Sequence, residues 1–235
     1  MYSKNKVGFL IALEKEATIL INMLENRCDE KIGRMIFHKG TLTGVDVVIV
    51  VTGIGKVLAA SATALLINNY KPSLLVSTGV AGGLGVSKLF DVVVATSVSQ
   101  HDIDTTPIGD LPGLIPQVNL TAIPTCKECI NILRLELPHA HFGNVASGDQ
   151  FVSSIEKRNF IVKTFNSIAC DMECGAVGQI ALLEGTPFIA IKLISDDADD
   201  SAPVSFETFI DKAAAINVAT ILKSITKFAS INYTN

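Results

Sequence analysis

Three carboxylates stand next to apolar segments in a chain that carries few charges. Glu16 follows a short apolar run, Glu173 lies where an apolar segment passes into a helical pattern, and Asp196 follows the most apolar segment. Burial raises the pKa of a carboxyl group, and such groups serve as general acids and bases. The ordinary alternative is that Glu16 and Glu173 only stabilise helix N-termini through the helix dipole. Convergence of all three would favour a catalytic site.

Strand-like and helix-like patterns alternate along the chain and predict an α/β fold. We expect a single three-layer α/β/α domain, with a central mixed, largely parallel twisted sheet, over residues 1–235 and a core at about 7–228. Strands are predicted at Val7–Ala12, Met35–Thr41, Val45–Val51, Leu74–Thr78, Val92–Val98, Phe142–Ala146, Ser167–Met172 and Phe188–Ile194. Helices are predicted at about Glu14–Glu25, Lys56–Asn69, Thr125–Leu137, Cys174–Glu184 and from a Ser205 cap to about Phe228.

The predicted elements place the carboxylates on one rim of the sheet. In open α/β sheets, ligands bind where strands end and helices begin. Glu16, Glu173 and Asp196 each close a strand or open a helix in this reading. Residues 101–124 carry no regular pattern and read as a long loop, and loops of that length in compact domains usually serve function or an interface.

Composition excludes several classes of protein. Hydrophobic residues make up 49% of the 235-residue chain, which excludes intrinsic disorder. The net charge of −4 comes without a basic cluster, so nucleic acid is not an expected partner. Five cysteines at irregular spacing argue against a disulfide framework. The first apolar run is too short for a secretory signal, and no segment is long enough to cross a membrane. We therefore expect a cytoplasmic protein with no membrane partner.

Three short motifs resemble cofactor or metal sites but fail on spacing. The Gly53–Leu58 segment lacks the third glycine of a dinucleotide fingerprint and the Ser/Thr of a P-loop. Cys126 and Cys129 form a lone C-x-x-C pair that cannot complete a zinc site, and we expect two helix-surface cysteines. Residues 197–201 begin like a calcium loop, but the required glycine and closing glutamate are missing. No metal or cofactor is expected.

Seven segments in register resemble the 5′-methylthioadenosine/S-adenosylhomocysteine nucleosidases of the purine nucleoside phosphorylase-like superfamily. The likeness extends from residue 7 to about residue 228. The segments that carry it are Ala12–Glu16, Thr52–Val57, Ser77–Gly83, His101–Asp102, Ser147–Phe151, Asp171–Glu173 and Ile194–Asp196.

The resemblance implies hydrolysis of an N-glycosidic bond to adenine. Asp196 would protonate the leaving purine, and Glu16 would activate the attacking water. Glu173 would hold the ribose hydroxyls and stabilise a cationic sugar. The remaining substrate contacts that the resemblance implies are with Met172, Phe151, Val152, Ser77, Ser195, Ile54 and Leu13.

Three alternatives stay open beside this reading. A phosphate-dependent phosphorylase would need arginines that the first predicted helix and the Ser77–Gly79 turn lack. A non-catalytic nucleoside-binding module would be expected to lose one of the three carboxylates. Futalosine hydrolase is a sister nucleosidase, and residues 103–110 lack the aromatic residues that usually cover the 5′-alkylthio group. The resemblance also implies a homodimer with the 101–116 loop near the partner's active site.

Overall fold

The computed structural model describes residues 6–231 as ten strands and six helices. The strands are β1 Val7–Ile11, β2 Glu25–Ile32, β3 Met35–Leu42, β4 Val45–Val51, β5 Leu74–Gly83, β6 Val92–Gln100, β7 Ile123–Pro124, β8 His141–Ser147, β9 Ser167–Asp171 and β10 Phe188–Asp196. The helices are α1 Glu14–Asn22, α2 Lys56–Tyr70, α3 Lys127–Glu136, α4 Ile155–Phe165, α5 Cys174–Leu183 and α6 Ala202–Ala229.

All ten strands belong to one mixed sheet, part of which closes on itself. β5 pairs with β1, β9 and β10, and the pairing continues through β8 and β6 back to β10. Outside this ring, β1, β4, β3 and β2 extend the sheet in that order. The parallel pairings bring the carboxyl ends of β1, β5 and β10 to one rim, where polar side chains can meet.

Helices cover both faces of the sheet, which makes three layers. One apolar core lies under α2 and α5, where Leu66 and Val177 are fully buried. The other lies under α1, α3 and α6, where Leu20, Leu133 and Ile221 are buried against β1, β4 and β10. These two cores explain the aliphatic composition, because strands covered on both faces need apolar residues in both orientations. The predicted α/β fold class is confirmed.

The predicted elements are largely present, including the hairpin of β3 and β4. The first helix ends at Asn22 rather than Glu25, because the chain turns into β2. We missed β2 and α4. β2 is almost wholly exposed, and α4 has a short apolar face, in which Ile161 is buried and Val162 and Phe165 are partly buried. Elements that are mostly charged and exposed give a weak periodic signal.

The last helix begins earlier than predicted. Ser201 is its N-cap and Pro203 lies in its first turn, where a missing N–H costs no helical hydrogen bond. Asp199 accepts hydrogen bonds from the backbone N–H and the hydroxyl of Ser201, at 2.9 and 2.7 Å. Ser205, which we predicted as the cap, lies inside the helix. Within residues 6–231, no helix is long and apolar enough to span a membrane.

Candidate active site

A cleft opens at the rim where β1, β5 and β10 end. The three carboxylates singled out in the sequence all line it. The lining residues, which define the main cleft, are Ala12, Leu13, Glu16, Ile54, Val80, Ala81, Gly82, Gln150, Phe151, Val152, Cys170, Asp171, Met172, Glu173, Ser195, Asp196 and Phe206.

Glu16 lies in the first turn of α1 and is held by two backbone N–H groups. Leu13 donates to Oε2 at 3.0 Å, and Val80 donates to Oε1 at 2.7 Å. Burial raises the pKa of Glu16, while the N–H of Val80 and the charge of Lys192 partly offset that rise. Gly79 has a φ of +146°, and a Cβ there would lie 2.8 Å from Oε1. Only glycine leaves room for this carboxylate.

Asp196 ends β10, at a bulge in the pairing with β5. The hydroxyl of Ser195 donates to Oδ2 at 2.8 Å, and the backbone N–H of Ala198 donates to Oδ1 at 2.9 Å. Burial raises the pKa of Asp196, and the two hydrogen bonds partly offset it. A carboxyl with a raised pKa is a suitable proton donor. Ser195 is fully buried and supports Asp196 as predicted.

Glu173 is the N-cap residue of α5 and faces the N-terminus of α2. The backbone N–H of Gly55 donates to Oε1 at 2.9 Å. Burial, together with the negative charge of Asp171, raises the pKa of Glu173 to about 7. The Gly53–Leu58 segment, which fails as a nucleotide motif, therefore has a different use: its turn presents an N–H to a site carboxylate.

Apolar side chains form the rest of the cleft. Phe151 is half exposed, and its ring packs edge-on against Phe206, with ring centroids 5.7 Å apart. Met172 lies beside Glu173, and Val152 is buried in the loop after β8. Leu13 and Ile54, two of the predicted substrate contacts, also line the cleft. An aromatic ring in this position can stack on a flat ligand, and the apolar walls keep bulk solvent out of the cleft.

Ser77 is the predicted site residue that the structure does not bring to the main cleft. Its side chain is buried within β5, between Leu10 and Ala190, and it is absent from the lining. Val80, three residues later, holds Glu16 instead. The contact uses a backbone N–H, so no side-chain type in the sequence could have revealed it.

A buried ion pair lies beside the carboxylates, and Asp171, one of its members, also lines the main cleft. Lys192 Nζ lies 2.7 Å from Asp171 Oδ2, and both side chains are at most 3% exposed. Although burial opposes it, Lys192 lowers the pKa of Asp171. The hydroxyl of Ser147 and the backbone N–H of Cys174 also donate to Asp171. Our own criterion, a charge within an apolar run, would have found Lys192 in β10.

A second network joins the loop after β8 to the N-terminus of α2. Lys56 Nζ donates to Asp102 Oδ1 at 2.6 Å, and these side chains are 18% and 15% exposed. Asp102 Oδ2 accepts from the backbone N–H of Asp149 at 2.8 Å. Asp149 Oδ1 accepts from the backbone N–H of Lys56 at 2.7 Å. The loop after β8 and the turn that holds Glu173 are therefore joined by hydrogen bonds.

The part of the chain that the structure describes contains no group of three or more His, Cys, Asp or Glu side chains placed to hold a metal ion. We expected both cysteines of the C-x-x-C pair on the helix surface, and this is wrong for Cys129. Cys129 is fully buried, and Cys126 is half buried.

Comparison with known proteins decides the family. The model of the phosphorylase superfamily matches residues 6–227. The chain is 37% identical over 230 residues to a 5′-methylthioadenosine/S-adenosylhomocysteine nucleosidase from Exiguobacterium, covering 94% of this chain and 97% of that protein. This chain belongs to the nucleosidases of the phosphorylase superfamily.

Solved structures of nucleosidases share the whole fold. A Neisseria meningitidis 5′-methylthioadenosine/S-adenosylhomocysteine nucleosidase, in complex with methylthio-immucillin-A, is 34% identical with a TM-score of 0.91, over 95% of this chain and 99% of that chain. A futalosine hydrolase from Helicobacter pylori is 29% identical with a TM-score of 0.91, over 95% and 98%. The fold is common to both activities.

Proposed function

We propose that this nucleosidase hydrolyses the N-glycosidic bonds of 5′-methylthioadenosine and S-adenosylhomocysteine, releasing adenine and the 5′-thioribose. One observation carries the proposal: Glu16, Glu173 and Asp196, all buried, converge on a single cleft with a stacking ring at its mouth. Similarity to relatives with that activity supports the choice of substrate.

The leaving adenine needs a proton, because it departs as the bond to the sugar breaks. Asp196 supplies it at the purine end of the main cleft. Its raised pKa favours the protonated form that an acid must have before the reaction. Phe151 stacks on the purine, while the backbone of Val152 contacts the edge of the base.

Water attacks the sugar as positive charge builds on the ribose. Glu16 orients the water and takes its proton, and its two backbone donors keep it ready to act as a base. Glu173 binds the ribose hydroxyls, with Met172 against the ring. The negative charge of Glu173 is worth more in the cationic transition state than in the ground state, which is the condition for catalysis.

Water is the nucleophile rather than phosphate. None of the residues lining the main cleft is an arginine or a lysine. A phosphate dianion bound without a guanidinium or ammonium partner would lack the charge-assisted hydrogen bonds that normally hold it. The three carboxylates would repel it further.

Futalosine hydrolysis is the second candidate, and two observations favour it. Residues 103–110 contain no aromatic side chain to cover a 5′-alkylthio group. A solved futalosine hydrolase also shares the fold at 29% identity. The carboxylates would act in the same way on that substrate, so only the group at the 5′ position distinguishes the two.

We also propose a cytoplasmic homodimer that acts in methionine salvage. Exposed apolar side chains support the dimer: Ile54 and Val57 near the start of α2 are exposed, and so are Ile108 and Leu111 in the 101–116 loop. Large apolar side chains that are exposed in one subunit commonly become buried where they cluster at an interface. In the dimer this loop would lie near the partner's cleft and help to select the 5′ group.

The decisive experiment supplies purified protein with methylthioadenosine, adenosylhomocysteine or futalosine, each with and without inorganic phosphate, and follows release of the base. We expect adenine from the first two at a rate independent of phosphate. Turnover that requires phosphate would overturn the hydrolase mechanism. Release of hypoxanthine from futalosine, with methylthioadenosine untouched, would establish the second candidate instead.

A further inference from the structure

The C-x-x-C pair that failed as a zinc site lies on the first turn of α3. Cys126 is the N-cap residue, and Cys129 is the third residue of the helix. Residues three apart on a helix lie on one face, with Cα atoms about 5 Å apart by helix geometry, within the range that a disulfide spans. The Cys129 thiol donates a hydrogen bond to Cys126 Sγ, so the two sulfurs face each other.

Access to the two sulfurs is unequal. Cys126 is half buried and lines a cleft of its own, formed with Pro124, Leu182, Pro187 and other residues of β7, α5 and β10. Cys129 is fully buried behind it. This Cys126 cleft shares no lining residue with the main cleft. A small molecule can therefore reach Cys126 first and Cys129 only through Cys126.

The environment of Cys126 also favours its thiolate, which is the reactive form. The hydrogen bond from the Cys129 thiol lowers the pKa of Cys126, and the Cys129 backbone N–H adds to this effect. Burial opposes both, and so does Glu128, whose Oε2 lies 3.4 Å from Cys126 Sγ and accepts a hydrogen bond from that thiol. Burial instead raises the pKa of Cys170 and of Cys174. The structure thus separates one reactive cysteine from two inert ones.

We propose that Cys126 and Cys129 form a reversible dithiol–disulfide pair that reacts with small-molecule disulfides. The Cys126 thiolate attacks one sulfur of the disulfide, forms a mixed disulfide and releases one thiolate. Cys129 loses its proton and attacks the Cys126 sulfur, which closes the internal disulfide and releases the second thiolate. The small disulfide is reduced by two electrons and the protein is oxidised by two.

The pair is anchored to the strand that carries the catalytic acid. The backbone N–H of Cys126 donates to the carbonyl of Phe188, the first residue of β10, at 2.7 Å. Asp196 lies at the other end of that strand. The proposal stands apart from the nucleosidase activity, because its test is a covalent change that can be measured without substrate.

The test uses the full chain with Cys28→Ser, which removes the other exposed cysteine. The folded protein is equilibrated with mixtures of reduced and oxidised glutathione, its remaining thiols are alkylated, and peptides are mapped by mass spectrometry. We expect an internal Cys126–Cys129 disulfide that glutathione reduces again. Absence of that disulfide at an excess of oxidised glutathione would overturn the proposal.

Two further variants establish the order of attack. Adding Cys129→Ser should trap glutathione on Cys126, because no second thiol can displace it. Adding Cys126→Ser should make glutathione attachment to Cys129 at least tenfold slower than attachment to Cys126 in the first variant. The reason is that the buried Cys129 thiol must then react with the small disulfide directly. Equal rates in the two variants would overturn the assigned order. Retained turnover of methylthioadenosine in both variants would show that they are folded.

Discussion

The two ends of the main cleft carry carboxylates of the same chemistry in different hydrogen-bonding surroundings. One end, here called the water end, holds Glu16, which is proposed to orient the attacking water. Both oxygens of Glu16 accept hydrogen bonds from backbone N–H groups, those of Leu13 and Val80. A backbone N–H can only donate, so this arrangement favours the ionised carboxylate. These two donors are consistent with the proposed role of Glu16 as the base, while burial acts in the opposite direction and raises its pKa.

At the purine end, one of the two donors to Asp196 is a hydroxyl. Ser195 donates to Oδ2 when Asp196 is ionised, and the same hydroxyl can rotate and accept when Asp196 is protonated. Burial raises the pKa of both carboxyl groups, but only the hydroxyl of Ser195 can change from donor to acceptor when its partner is protonated. The comparison teaches that the type of donor, in addition to burial, can distinguish the proposed acid from the proposed base.

The largest effect is expected at the purine end. Asp196→Asn keeps the shape of the side chain but removes the acidic proton, so kcat for adenine release should fall by about 10³-fold. Asp197→Asn, at the exposed neighbouring position, is the matched control and should leave kcat within about twofold. Equal losses in the two variants would contradict the assignment of Asp196 as the acid.

Removing the base should cost somewhat less, because water remains present at high concentration. Glu16→Gln is expected to lower kcat by about 10²-fold, while Glu14→Gln, exposed on the same turn, should have little effect. Binding of adenine, measured by calorimetry, should change little in either variant. A loss of adenine affinity with Glu16→Gln would place Glu16 at the wrong end of the cleft.

Substitution of two glycines allows the carboxylate at each end to be displaced without being replaced. A Cβ on Gly79 would lie 2.8 Å from Glu16 Oε1 at a φ of +146°, and a Cβ on Gly82 would lie 3.0 Å from Asp196 Oδ1. Gly79→Ala should lower kcat by about tenfold or more, since small misplacements of a catalytic group are costly. Gly82→Ala should have the smaller effect, because its backbone needs no positive φ. Steady-state kinetics of both variants would reveal a reversed order.

The smallest effect is expected for Glu173, the proposed ribose-binding carboxylate, and it is an effect on the stability of the folded protein. With a pKa raised to about 7 in the folded protein from 4.5, Glu173 binds its proton more tightly when folded, so stability falls as the pH rises between these values. Glu173→Gln should therefore raise the free energy of unfolding by about 1–3 kcal/mol at pH 8, with little change near pH 4.5. Thermal melts at the two pH values test this. An equal gain at both would contradict the titration of Glu173.

The sequence was sufficient for most of the sheet and its helices, with the exception of elements such as β2 and α4, and for the three carboxylates, because each depends on apolar patterning. Glu16, Glu173 and Asp196 were recognisable as charges at the ends of buried elements. Val80 and Gly55 were not, since both act through backbone N–H groups that every residue but proline possesses.

Elements and contacts without an apolar signal were missed. α4 contributes Ile161 as its buried side chain, and the Lys56–Asp102 ion pair joins residues 46 positions apart. Ser77 was assigned to the site through resemblance, and the structure places it in β5, buried and outside the lining of the main cleft. Its role in supporting the ribose and water site stays a prediction.

The closed part of the sheet leaves β2 as the end of the strand order, with one side of its backbone unpaired by other described strands. Such an edge can recruit a strand from another molecule and start aggregation. β2 carries Glu25, Arg27, Asp29, Glu30 and Lys31, nearly all of it exposed to solvent. Mixed charges on an edge discourage sheet extension, so this strand, which adds little to the core, protects the chain against self-association through its backbone.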